Sequence, residues 1–333
     1  MKAICVTPAR SLEVRDIPIP TDPPPGHVLV DMEACAINHG DKAFLASPLA
    51  TGNAFPMSRH DVWGASGAGL VVEVGSGVPV DLVGRRVAIY RSLSRSPETV
   101  GLWCERAQVP ATCCVVLPTH ARPRDYCGSL VNMITAYAFL REIQAAGHEG
   151  IIVTAGRSAT GRALAFLARQ SNMSVISLMR SATTGPNRPG QNAERVILTA
   201  GEDFEQVIAA ASAELKTTAV FDGIGGALLS HIAPVLPMNT TVYVYGFLGG
   251  GAVSLPTSLF LTKNLTIRKF SNFESSTVKD PHQLLTALDE LAGMIDDPLF
   301  TTRVGREFSF AEIELAMIFE TEPGAKGVLL PHG

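Results

Sequence analysis

Residues 151–170, IIVTAGRSATGRALAFLARQ, carry the clearest structural signal in the chain. An apolar run suited to a buried strand enters Gly156-Arg157-Ser158-Ala159-Thr160-Gly161, and a helix over Ala159–Gln170 follows. Strand, glycine-bounded turn and helix in that order make the phosphate-binding unit of a dinucleotide fold. The first glycine allows the turn, a small middle residue lets backbone approach a pyrophosphate, and the last glycine lets helix pack on strand. Ser158 holds the middle position, where its hydroxyl can itself meet a phosphate. The helix N-terminus adds free N–H groups and partial positive charge. Residues Gly156, Arg157, Ser158, Ala159, Thr160 and Gly161 are therefore the candidate cofactor cradle. The competing reading is a tight turn with no ligand.

Downstream, strands and helices alternate. Strands are expected at Ser174–Arg180, Arg195–Leu198, Ala219–Asp222, Thr240–Phe247 and Asn264–Phe270. Helices are expected at Asp203–Lys216, Leu228–Val235 and His282–Asp296. Such alternation builds a parallel sheet covered on both faces, and right-handed crossovers make it doubly wound. An NAD-selective site places a carboxylate about 20 residues past the turn, on the ribose 2′-hydroxyl. Here the second strand, SVISLMRSA, ends in Arg180-Ser181. A guanidinium and a hydroxyl suit a 2′-phosphate, so NADPH is the expected cofactor. Arg157 and Arg188 are secondary candidates for the same phosphate.

Upstream the pattern differs. Met1–Val6, Val28–Ala36, Gly69–Val74 and Arg86–Tyr90 read as short strands between turn-rich stretches such as PIPTDPPPG and VGSGVP. A long apolar segment, Asp125–Ala145, suits a helix. After residue 300 the β-rich style returns, with strands at Arg303–Phe308 and Lys326–Leu330 around a helix at Phe310–Phe319. The 333 residues allow about two domains. The expected division is a β-rich domain of residues 1–120 and 303–333 around a nucleotide domain of residues 121–302. With 46% hydrophobic and 17% charged residues the chain can bury large cores. A net charge of −4 gives no reason to expect nucleic acid or an anionic membrane as partner. No apolar run approaches the ~20 residues of a membrane span, and the N-terminus lacks an apolar signal core. A soluble, cytoplasmic protein is expected. Six cysteines without a C-x-x-C pair read as reduced, largely buried thiols, not a metal site.

The chain resembles the medium-chain dehydrogenase/reductase superfamily, and within it the zinc-independent quinone oxidoreductase and enoyl reductase branch. The resemblance spans nearly the whole length. It is carried by ACAINHGD (34–41), GASGAGLVVEVGSGV (64–78), GRRVAIY (84–90), GLWCERAQVPA (101–111), NMITAYAFL (132–140), VTAGRSATGRAL (153–164), FDGIGG (221–226), YGFLGG (245–250) and AKGVLL (325–330). It implies an α/β chain: a GroES-like β-rich catalytic domain plus a doubly wound Rossmann domain. Zinc-dependent members carry Cys in the first motif and G-H-E in the second. Asn38 stands at the Cys position, and Ala65 and Ser66 at the His and Glu positions. No metal is therefore expected. His39 and His60 read as polar surface or structural residues.

The resemblance further implies NADPH-dependent hydride transfer to a quinone or to the C=C of an α,β-unsaturated carbonyl, followed by protonation at Cα. It assigns Asn38 to the nicotinamide ribose or substrate and Thr135 to the nicotinamide amide or ribose. Gly246, Phe247 and Leu248 would flank the nicotinamide, and Lys326 would touch the cofactor or its phosphates. Enoyl reductase relatives carry a donor tyrosine after the N-x-x-D motif, but here DKAFLASPLATGNAFPMSRHDVWG has none. Tyr90, His39, His60 or water are the substitutes, and Trp63 with residues 91–100 is expected to shape the substrate pocket. An enoyl-thioester reductase, with Arg59, Arg91 and Arg95 as a basic groove, is the alternative within the class. A redox-inactive NADPH-binding sensor is the alternative outside it. A homodimer through an apolar edge at Asn264–Phe270 is also expected.

Overall fold

The computed structural model describes residues 1–46, 58–181, 194–320, 322 and 324–333. It divides into two compact units, Met1–Ile134 with Asp280–Gly333, and Thr135–Lys279.

The first unit opens with the antiparallel pair β1 (Lys2–Val6) and β2 (Leu12–Asp16). β3 (His27–Ala36) follows, then helix α1 (His39–Ala46), β4 (Ser66–Val74), β5 (Arg86–Tyr90), β6 (Arg106–Pro110) and β7 (Cys114–Val116). β3 pairs antiparallel with β4 from Val28↔Val74 to Ala36↔Ser66, with irregular register at Leu29/Val30 and Met32/Ala34. Close approach at that pairing requires glycine. A Cβ on Gly69 would lie 2.1 Å from the Asp31 carbonyl oxygen, and one on Gly67 would lie 3.0 Å from the Ala34 carbonyl oxygen. β3 buries Val28, Leu29, Val30, Met32, Ala34, Cys35 and Ala36, so it is the spine of this unit.

α2 (Ser129–Ala145) leads into the second unit. The expected helix from Asp125 begins four residues late, because Pro123–Asp125 forms a separate 3₁₀ turn. Then come β8 (Gly150–Val153), α3 (Ala159–Gln170), β9 (Ser174–Met179), β10 (Glu194–Leu198), α4 (Phe204–Glu214), β11 (Thr217–Asp222) and α5 (Gly226–Ile232). β12 (Thr241–Val244), α6 (Ser258–Thr262), β13 (Thr266–Lys269) and α7 (Ser276–Lys279) complete it. The sheet is all parallel in the order β10-β9-β8-β11-β12-β13. The chain winds outward one way from β8 and the other way from β11, so the order reverses between them. Ligands of such sheets bind at that switch, beyond the carboxyl ends of the strands. Ile152, Ile176, Val220 and Val242 are fully buried along the strands. Phe139, Phe221, Tyr243 and Phe270 form an aromatic cluster, with Phe139 4.1 Å from Phe221.

β12 ends at Val244, short of the expected Phe247, because Tyr245 to Gly251 turn back toward the loop after β11. β13 is an edge strand as expected, but the edge is charged where the sequence suggested an apolar one. Arg268 reaches Glu142 at 3.3 Å, Lys269 reaches Glu274 at 2.6 Å, and only Ile267 is partly buried without a charge.

Returning to the first unit, α8 (Pro281–Ala292) packs beside β7, although the sequence alone groups it with the nucleotide domain. β14 (Arg303–Ser309), α9 (Ile313–Ile318) and β15 (Ala325–Leu330) close the chain. Together the strands form a sheet ordered β14-β15-β3-β4-β5-β7, with β6 on β3. The antiparallel β15–β3 pairing sets the C-terminal strand against the end of β3, where the residues of interest begin.

Candidate active site

In the second unit the turn after β8 is built tightly. Ser158 caps α3, and its Oγ accepts the Gly161 N–H at 2.9 Å, which satisfies one of the orphan donors of the first turn. The Gly156 N–H donates to the Leu178 carbonyl at 3.2 Å and ties the turn to β9. A Cβ on Gly161 would lie 2.3 Å from the Ala155 carbonyl oxygen, so no other residue lets α3 approach the strand this closely. Ala159 and Thr160 begin α3, and Arg157, Ser158, Ala159 and Thr160 are all partly exposed. At the end of β9, Arg180 and Ser181 are exposed, and Arg157 donates from Nη1 to Ser181 Oγ at 3.3 Å. Three of the residues expected near a 2′-phosphate are thus neighbours. Arg188 and residues 47–57 lie outside the described residues.

Beside this turn a buried Asp222, absent from the sequence-derived candidates, ties the strand ends together. Its Oδ1 accepts from Thr154 Oγ1 at 2.7 Å and from the N–H groups of Ile224 and Gly225, and Thr154 Oγ1 accepts the Gly223 N–H. The loop after β12 is laced to the loop after β11, with Leu248 N–H on the Gly223 carbonyl at 3.0 Å and Gly249 N–H on that of Ile224 at 2.8 Å. Lacing leaves Phe247 67% and Leu248 46% exposed next to Gly246, a surface available to a flat ring. On α2, Thr135 Oγ1 accepts from Asn272 Nδ2 at 2.6 Å, which fixes the hydroxyl. Asn272 carries no sequence signal, since only the fold brings it to α2.

In the first unit, Asn38 follows β3 and caps α1, with its carbonyl accepting the Lys42 N–H. Asp41, in the first turn of α1, reaches back to the Asn38 N–H at 2.7 Å, half of a capping box. The same Oδ2 accepts from Asn38 Nδ2 at 2.9 Å, and Oδ1 accepts the Ala65 N–H at 3.2 Å. Asn38 Nδ2 also donates to Ser66 Oγ at 2.8 Å, and Lys326 Nζ donates to Asn38 Oδ1 at 2.6 Å. The amide of Asn38 is held on three sides and is 9% exposed. Gly128 makes room for the lysine: a Cβ there would lie 2.6 Å from Lys326 Cδ.

Burial pushes the Asp41 carboxyl up, opposed by the Asn38 hydrogen bonds and the charges of Arg91 and Lys326. Burial likewise lowers the Lys326 ammonium, against the pull of Asp41. Burial, then the cations Lys326 and Lys42, lower His39. Tyr90 ends β5, is 6% exposed and pairs across from Ser66. His60 is exposed. The neighbouring Arg91 is 2% exposed, and burial brings it down to about 10.

A Zn²⁺ site needs about three thiolate, imidazole or carboxylate ligands. Asn38, Ala65 and Ser66, which the resemblance sets at the zinc-ligand positions, supply an amide, a methyl group and a hydroxyl, with the Lys326 ammonium on the amide oxygen. That donor set does not suit a divalent cation. Among the described residues no group of three or more His, Cys, Asp or Glu side chains gathers as a metal site. The cysteines are free, and five of the six are buried.

Residues 24–119 match the alcohol dehydrogenase GroES-like domain. A quinone oxidoreductase of Pseudomonas syringae superposes with a TM-score of 0.73, at 22% identity and 99% coverage of both chains. The Escherichia coli quinone oxidoreductase solved with NADPH superposes with a TM-score of 0.72, at 19% identity and 99% coverage of both. The chain therefore has the fold of these quinone oxidoreductases. The mitochondrial enoyl-[acyl-carrier-protein] reductase of Dictyostelium discoideum is 25% identical over 283 residues, 79% of this chain and 75% of that protein. Both parts of the expected fold, the GroES-like domain and the doubly wound parallel sheet, are present.

Proposed function

We propose that the protein is a zinc-independent, NADPH-dependent reductase acting on a quinone or on the activated C=C of an enone. The observation that carries this reading is the Gly156–Gly161 turn with Arg157, Arg180 and Ser181 at the neighbouring strand end. The glycine packing leaves the helix N–H groups and Ser158 to meet a pyrophosphate, and the two guanidiniums suit a 2′-phosphate. The proteins it resembles are named for quinone oxidoreductase and enoyl reductase activity, and one of the superposed structures holds NADPH.

When bound, the dinucleotide supplies the hydride. The chain's residues bind, orient and handle charge. Gly246, Phe247 and Leu248 form the surface for the nicotinamide, and Thr135, fixed by Asn272, is its polar neighbour. Asn38 is a pre-set polar contact for substrate or ribose, because Asp41, Ser66 and Lys326 hold its amide in one orientation. Among the described residues, Asn38 Oδ1 is the acceptor of Lys326 Nζ. Two of its three N–H groups therefore remain for an oxygen of substrate or cofactor, where a fixed ammonium stabilises developing negative charge. Tyr90 is buried and less suited than Lys326 to meet a substrate oxygen.

The test is NADPH consumption by the purified protein with quinones, small enones and enoyl thioesters. Turnover with the first two groups supports the reading. Turnover confined to thioesters favours the activity named for the Dictyostelium relative, and no turnover despite NADPH binding favours a redox-inactive sensor.

A further inference from the structure

Tyr245 lies just past β12, with its ring stacked on Phe221 at 3.8 Å and 9° between planes. Its hydroxyl is buried and has no hydrogen-bond partner of good geometry among the described residues. An unpaired buried hydroxyl is costly, so its retention calls for a physical account. Gly223 accommodates it: a Cβ there would lie 2.6 Å from the Tyr245 hydroxyl and 2.7 Å from Cζ. The hydroxyl also lies close to Ser158. Burial pushes the phenol well above its usual range, while the Ser158 hydroxyl pulls it back. The tyrosine therefore stays protonated and can act as a donor throughout the working pH range.

We propose that Tyr245 is a positioning residue that aims the Ser158 proton at a phosphate. A serine hydroxyl has one proton and two acceptor lone pairs. At Ser158 one lone pair already accepts the Gly161 N–H at 2.9 Å. When the dinucleotide is bound, the Tyr245 O–H donates to the other. Both lone pairs are then occupied, and the Ser158 O–H is left to donate outward, to a pyrophosphate oxygen, as a charge-assisted bond. The tyrosine touches no ligand in this scheme. It acts through Ser158, and Gly223 and Phe221 hold it in place. The inference rests on the proposed dinucleotide site and adds to it the residue that orients its phosphate donor.

The experiment is a double-mutant cycle on the full-length protein, read by NADPH fluorescence titration and thermal melting. Tyr245→Phe keeps the stacked ring and removes the hydroxyl. The ligand-free melting temperature is expected to stay or rise, while the NADPH dissociation constant rises about three- to tenfold. Adenosine 5′-diphosphoribose, which carries the pyrophosphate, should lose affinity in parallel. Adenosine 2′,5′-bisphosphate, which lacks it, should not. In a Ser158→Ala background, Tyr245→Phe should change nothing further.

Unchanged NADPH affinity in Tyr245→Phe overturns the inference. So does an equal loss in the Ser158→Ala background, or an equal loss for both adenosine probes. If the unaltered protein binds no NADPH, the proposed function itself fails. Binding by the unaltered protein with no effect of the substitution defeats only the role of Tyr245.

Discussion

Replacing Asp41 by Asn should uncouple the Asn38–Lys326 pair from its support. The carboxylate is fully buried and accepts three N–H groups: Asn38 N at 2.7 Å, Asn38 Nδ2 at 2.9 Å and Ala65 N at 3.2 Å. An asparagine amide has one oxygen, so its NH₂ must face a donor in either orientation. The better orientation keeps the oxygen on the two Asn38 groups and turns the NH₂ toward the Ala65 N–H. One buried donor is then orphaned, at about 1–3 kcal/mol. The two remaining bonds also lose their charge assistance, while relief of the buried charge offsets part of this. A net loss of about 1–3 kcal/mol in urea denaturation is expected. The catalytic constant should fall more than NADPH affinity does, because Asn38 and Lys326 lose their fixed orientation but the Gly156–Gly161 turn is untouched. A variant as stable and as active as the parent would refute the idea that Asp41 organises this site.

Gly161→Ala should destabilise the protein by about 1–3 kcal/mol, because its Cβ would collide with the Ala155 carbonyl, and it should weaken NADPH binding in the same sample. Gly293→Ala meets nothing closer than 3.5 Å and serves as the neutral control in thermal melting. Arg180→Ala should weaken NADPH binding about fivefold and leave NADH binding nearly unchanged, since an exposed charge contact is worth ~1 kcal/mol. Equal effects on both coenzymes in a fluorescence titration would remove Arg180 from the phosphate site. The folded state favours neutral His39, so its stability contribution is present above the unfolded pKa and is lost as pH falls through the lowered folded value. A His39→Gln variant should therefore lose less stability than the parent between pH 7 and pH 5.

The parallel sheet was readable because each βα unit carries its own period and punctuation, from Ile151 through Gln170 and onward. α3 and β5 have the expected bounds, since a capping serine with a glycine turn and an alternating apolar run are local signals. β2, β6 and β7 were not legible: LEVRD and RAQVP carry charges and become strands through pairing with β1 and β3. α1 was hidden because its apolar face is short, and Asp41 reads as a surface charge until the fold encloses it. In the site, Gly156, Ser158 and Gly161 announce themselves by spacing. Asp222, Asn272, Gly128 and Tyr245 do not, because their partners Thr154, Thr135, Lys326 and Ser158 lie far away in sequence. Gly128 illustrates the limit: nothing in its local sequence shows that the stem of Lys326, nearly 200 residues later, lies where a Cβ would sit.

A Gly156–Gly161 turn that holds a phosphorylated dinucleotide must bind one in solution. Isothermal titration of the purified protein with NADPH and NADH measures that binding. The expected result is one NADPH per chain, bound more tightly than NADH. Absence of binding heat with either coenzyme, together with no shift in melting temperature, would contradict it.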